Sequence, residues 1–234
     1  MVMWRRVLLV GMLGRSAWAG PTGLTQIPTA DLVPYHQLNA VLQNGNTDIR
    51  GDNSLFHEPE PEPQAEAGLP WNAEGGLDLA PEDGPEDYRP IVNVKWRALD
   101  EGYRWPAVAL GAEQLGVGFQ PTTFLVVTRT LNYQQVQYQK FRAHHRNIKL
   151  RGFRVHAGTM ETSNVWRGFV GTDLELSDHF VFYGDWISGA RNSVSLGGVL
   201  VIDRANSITA AALRANDTDR VTGVVVMLTH TFDW

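Results

Sequence analysis

From Tyr35 onward the polarity of the chain alternates with a period of two. In residues 91–97, Val92, Val94 and Trp96 fall on one side, and Asn93, Lys95 and Arg97 on the other. Residues 71–79 set Ala73, Gly75, Leu77 and Leu79 against Asn72, Glu74 and Asp78, and residues 168–176 set Val170, Thr172, Leu174 and Leu176 against Asp173 and Glu175. This is strand periodicity, and no helical stripe interrupts it. Twelve such segments are predicted, near 36–45, 54–67, 71–79, 88–98, 104–116, 122–131, 148–158, 166–176, 179–187, 193–203, 206–214 and 221–233. Turn residues separate them, as in Asp100-Glu101-Gly102, Ser177-Asp178 and Leu69-Pro70. An even number of ten-residue alternating segments predicts an all-β fold, an antiparallel up-and-down transmembrane β-barrel of about 12 strands. A soluble β-sandwich would also alternate.

The two ends of the chain favour the barrel. Residues 1–19 carry Arg5 and Arg6, a short apolar run and Ala17-Trp18-Ala19, the pattern of a cleavable signal peptide. The last segment places Val224, Val226, Leu228, Phe232 and Trp234 on one parity and closes on an aromatic residue, the usual close of a bacterial outer-membrane barrel. The expected organisation is a signal peptide over 1–19, a periplasmic N-terminal segment over 20–35 and the barrel over 36–234, with both barrel ends periplasmic.

Composition narrows the chemistry. The 234 residues include no Cys, which excludes disulfides, thiolate metal sites and a cysteine nucleophile. No apolar run is long enough for a helix to span a bilayer. Loss of residues 1–19 removes three arginines and no acid, so the net charge moves from −5 to −8. An acidic chain is a poor partner for nucleic acid. The expected location is the bacterial outer membrane, with membrane lipid as the first partner.

A cation facing lipid at mid-depth costs about 2–4 kcal/mol. Lys95, Arg97, Arg129 and Arg154 are therefore expected to line the lumen, with Glu74, Asp78, Asp173, Glu175 and Asp185. Twelve strands give a backbone diameter of roughly 24 Å and leave a gap of roughly 10–14 Å between side chains. That width allows either a narrow aqueous pore or a salt-bridged polar core.

Two segments fit less simply. Residues 58–67, EPEPEPQAEA, place three prolines on one parity. They are expected to form a solvated, partly polyproline II loop, the alternative being an acidic patch at a pore mouth that attracts cations. Residues 132–147 hold a basic run, expected as a polar connection, the alternative being a contact for a periplasmic partner or for an anionic polymer. No nucleophile, metal-ligand or phosphate-loop motif is present, so no catalytic residue, metal or cofactor is assigned. Asp173, Glu175 and Asp185 are candidates for a cluster across one hairpin, expected to form an ion network.

Residues 20–31, GPTGLTQIPTAD, followed by Gln37-Leu38-Asn39-Ala40, resemble the opening of the YjbH-type family of exopolysaccharide-associated outer-membrane barrels. Gly20, Gly23, Leu24, Pro28, Thr29 and Ala30 carry that resemblance, and Ser177, Asp178, Asp185 and Trp186 extend it. It implies a structural or transport role in the envelope linked to exopolysaccharide export, with polysaccharide or periplasmic export components as partners. This chain is much shorter than full-length members and is similar to a single-barrel relative. The alternatives are a passive porin for small solutes and an outer-membrane lipid-modifying enzyme.

Overall fold

The computed structural model describes residues 23–45, 62–81, 88–116, 121–132, 152–162, 164–189, 192–217 and 222–234. The expected signal peptide, residues 58–61 of the acidic-proline stretch and the basic run after Asn132 lie outside them. The strands are β1 (Gln37–Gly45), β2 (Glu62–Leu69), β3 (Ala73–Pro81), β4 (Tyr88–Leu99), β5 (Ala107–Leu115), β6 (Thr122–Thr130), β7 (Phe153–Thr162), β8 (Val165–Glu175), β9 (Phe180–Ile187), β10 (Ser193–Val201), β11 (Asn206–Ala215) and β12 (Thr222–Asp233). Each is antiparallel to its sequence neighbours, and β1 pairs with β12 to close the barrel. Closure runs from Gln37↔Asp233 to Gly45↔Val225, so both ends of the strand wall lie at one mouth, the terminal mouth.

Residues 62–67 correct one expectation. They are not a solvated loop; they belong to β2, with Glu62, Gln64 and Glu66 turned inward and Pro63 outward. Pro63 is tolerated because the β2–β3 ladder begins only at Gln64, so the proline occupies the start of the strand, beyond that ladder.

The outer wall matches the sequence reading. Val92, Val94, Val224, Val226 and Leu228 point outward and are 38–57% exposed. Leu174 shares their outward parity, opposite Phe153 and Phe182. Trp71, Trp96, Tyr103, Trp105, Phe232 and Trp234 gather outside the terminal mouth, and Trp166 and Trp186 outside the far one. An apolar band flanked by aromatic girdles is the exterior of a bacterial outer-membrane barrel, with each ring at a lipid–water interface. Among the described residues no helix is long and apolar enough to cross a membrane; the strands do the crossing.

Val94→Arg is expected to destabilise the barrel by about 2–4 kcal/mol in lipid vesicles, measured by denaturant unfolding, because the residue lies mid-strand on the lipid face.

Candidate functional site

The lumen is occupied by the chain itself. Residues 23–35 precede β1 and run inside the barrel, where Ile27, Thr29, Ala30 and Val33 are buried. A sequence reading that left 20–35 outside the barrel gave this segment no partner. Its path can be followed through its contacts. Near the terminal mouth Tyr35 bridges Gly68 of β2, and the Val33 amide donates to Glu74 Oε2 at 2.6 Å. The Ala30 amide donates to Thr128 Oγ1 at 2.9 Å. Farther in, the Gln26 amide and side chain donate to the two oxygens of Asp185 at 3.2 and 2.9 Å, Ser193 donates to the Gln26 side chain, and Thr25 donates to the Tyr183 hydroxyl at 2.9 Å. The segment then turns back, with Gly23 bridged to Pro28 and the Leu24 amide donating to the Ile27 carbonyl at 2.9 Å.

The wall is shaped to receive it. A Cβ on Gly68 would lie 2.1 Å from the Pro34 carbonyl oxygen, and one on Gly171 would lie 2.6 Å from the side chains of both Ile27 and Leu24. Glycine at these two positions permits the close approach. The inward faces of β5–β9 supply Ala107, Ala109, Phe124, Val126, Met160, Phe169 and Ile187, which form one apolar cluster with Ile27 and Ala30. The lumen is thus not uniformly polar, as simple alternation suggested. Val41, Leu213, Val225 and Met227 form a second inward apolar cluster.

Arg154 is the ionic centre of the docked segment. Its Nη1 lies 2.6 Å from Asp31 Oδ2, and its Nε and Nη2 fork onto Asp173 at 3.0 and 2.9 Å. Asp173 Oδ2 is also 2.7 Å from His156 Nε2, and His156 Nδ1 is 2.9 Å from Thr128 Oγ1. Burial pushes the Asp31 carboxyl up, but the Arg154 guanidinium more than offsets this, helped by His156 and Lys95, and holds it below the usual carboxylate range. Thr128, His156 and Asp173 have the connectivity of a nucleophile, base and acid. Yet Thr128 receives the Ala30 amide and Arg154 occupies Asp173, so the contacts seen serve docking.

The sequence-predicted residues fall into three groups. Arg154, Asp173 and Asp185 face inward and hold the segment directly or through one another. Glu74, Asp78 and Lys95 face inward on β3 and β4, with Lys95 Nζ 3.4 Å from Glu74 Oε1 and Asn93 Nδ2 donating to Asp78 at 2.5 Å. The others lie near the terminal mouth. Arg97 pairs with Asp100 at 2.7 Å, and Glu175 accepts the Gly152 amide at 3.3 Å. Arg129 is a correction: it does not line the lumen. On β6 the inward residues are Thr122, Phe124, Val126, Thr128 and Thr130, so Arg129 points outward. Its guanidinium escapes lipid by donating to the carbonyls of Gly102, Tyr103 and Trp105 at 2.7–2.9 Å, beside Glu101. Asp173, Glu175 and Asp185 do not form one cluster, because each has a different partner.

No protein-family model and no curated protein matches the sequence. Solved porins match the fold. One is a KdgM porin, at TM-score 0.50 and 6% identity over 83% of this chain and 99% of that one. Another is a KdgM porin in complex with disordered oligogalacturonate, at TM-score 0.50 and 5% identity over 84% and 99%. At such identities the likeness is one of fold.

Thr25, Gln26, Thr128, His156 and Tyr183 are site residues that sequence reasoning missed. The signal that could have found the wall partners is polar residues on the inward parity of otherwise apolar strands. Arg154→Met should cost about 3–5 kcal/mol, since it leaves the buried Asp173 carboxylate without its cation. Unfolding midpoints in detergent measure this. Asp31 is held low, so its contribution is present above its unfolded pKa and is lost as pH falls through the lowered value. Protease cleavage within residues 23–35 should accelerate in that acidic window and not between neutral pH and the ordinary carboxylate range.

Proposed function

We propose that this chain is an outer-membrane transport barrel for polar solutes, closed in this state by its own N-terminal segment. The observation that carries the reading is the seating of residues 23–35 against inward side chains of β3 and β6–β10. A twelve-stranded lumen is wide enough for an extended chain, and this one holds it by hydrogen bonds that water or a polar solute can replace, together with the Arg154–Asp31 ion pair and an apolar patch at Ile27 and Ala30. The envelope of a Gram-negative-type bacterium is the setting, with the terminal mouth facing the periplasm.

The resemblance to YjbH-type barrels gives the reading its finer form, a role in exopolysaccharide export. The residues that carry it are among those that dock. Leu24 packs on the lumen wall, Pro28 pairs with Gly23, and Ala30 bonds to Thr128. A passive porin is the less favoured reading, since a constitutively open lumen has no use for a seated segment.

Planar-bilayer recording tests the transport role. The full chain should conduct little. Removal of residues 23–33 should raise conductance at least tenfold, and Gly68→Ala, which forces Pro34 away from the wall, should raise it by a smaller factor. Absence of current from folded protein lacking residues 23–33 would overturn the transport reading. Reduced secreted polymer from cells lacking the chain would support the export link, and unchanged polymer would remove it.

A further inference from the structure

We propose that the inner wall of β2–β4 carries a subsite for a protonated amine on a hydroxylated solute, the chemistry of an amino sugar. The inference rests on the transport reading and names the class of solute. Inward positions of β2, β3 and β4 form successive rows: Gly68, Glu74 and Lys95, then Glu66, Gly76 and Asn93, then Gln64, Asp78 and Ile91. Gly76 is the floor, where a Cβ would already touch Asn93 Cβ and Glu66 Cγ at 3.4 Å.

Charge across these rows is one-sided. Glu74, Asp78 and Glu113 of β5 lie within electrostatic reach of Glu66, and Lys95 is the cation among them. Lys95 is bonded to Glu74, which also accepts the Val33 amide. Asp78 accepts one hydrogen bond, from Asn93 Nδ2. Glu66 is 5% exposed, and its Oε2 has no hydrogen-bond partner. Gln64 Oε1, one row away, is likewise buried without a partner. Burying an acceptor unpaired is costly, and costlier for a carboxylate. These two acceptors call for donors.

The spacing of the acceptors selects the ligand. Among the described residues no three carboxylate or imidazole groups converge on a metal-sized point. Gln64 and Glu66 are two residues apart on one strand, about 7 Å along it. A solute with an ammonium and neighbouring hydroxyls matches this spread, the ammonium at Glu66 and the hydroxyls at Gln64 and Asp78. Gln64, Asp78, Asn93 and Glu113 are partly exposed and form the rim, with Glu66 beneath. The docked segment touches the lowest row, at Gly68 and Glu74, and then crosses to β6–β10. The subsite lies on the far side of that crossing.

The test is calorimetric titration of the full folded chain in detergent at neutral pH. Its probes are glucosamine trisaccharide, N-acetylglucosamine trisaccharide and calcium alone. The glucosamine probe should bind, and the acetylated probe should bind about tenfold or more weakly, as expected for loss of a charged hydrogen bond. Glu66→Gln should weaken glucosamine binding by about the same factor. Gln64→Ala should weaken it less, and it serves as the second variant if Glu66→Gln fails to give heat-modifiable, folded barrel. Equal binding of the two sugars, full binding by both variants, or calcium binding without sugar binding would overturn the proposal. Glucosamine binding without current from the chain lacking residues 23–33 would overturn the transport reading alone; current without glucosamine binding would overturn the subsite alone.

Discussion

Hydrocarbon offers a peptide group no hydrogen-bond partner, so a strand edge left open in a bilayer costs several kcal/mol per group. The β1–β12 ladder meets that constraint by pairing nine residues of β1 with the last strand. Closure in turn fixes the dimensions of the interior. A closed wall of twelve strands has a bore wide enough for one extended chain. The segment before β1 enters that bore, and two glycines, Gly68 and Gly171, let it lie against the wall.

The inward charges then divide by task. Around Arg154, two carboxylates, a histidine and a threonine are satisfied by one another and by the docked segment. On β2–β5 the carboxylates outnumber the cations, and two acceptor oxygens have no partner. The first group holds a state of the protein; the second offers chemistry to a visitor. A solute can shift the seated segment only by as much as it binds the vacated lumen better than the occupied one. The seat of residues 23–35 combines hydrogen bonds, the Arg154–Asp31 ion pair and an apolar patch at Ile27 and Ala30, so a polar solute competes for only part of it.

Several elements were legible as written. Strict alternation in β3, β4 and β8 placed Glu74, Asp78, Lys95, Arg97, Asp173 and Glu175 on the inner face, because a period of two leaves each residue only two choices. Arg129 was not legible. In TTFLVVTRT both parities of β6 are apolar, with Phe124 and Val126 on one and Leu125 and Val127 on the other, so alternation is silent there. The lipid penalty argued for an inward arginine, but near the end of a strand a long side chain can reach turn carbonyls instead. The acidic-proline stretch misled in the same local way: proline argued against a strand, and only the staggered ladders put Pro63 where its missing donor is tolerated.

Periodicity and the cost of charge in lipid set the strand count, the lipid face and most of the inward charges from the order of residues alone. The filling of the lumen is a tertiary fact. Residues 23–35 form a short segment of mixed polarity with two prolines, Pro28 and Pro34, and no period to read. Their partners, among them Glu74, Thr128, Arg154, Asp185 and Ser193, are scattered over about 120 positions and come together only when the wall closes.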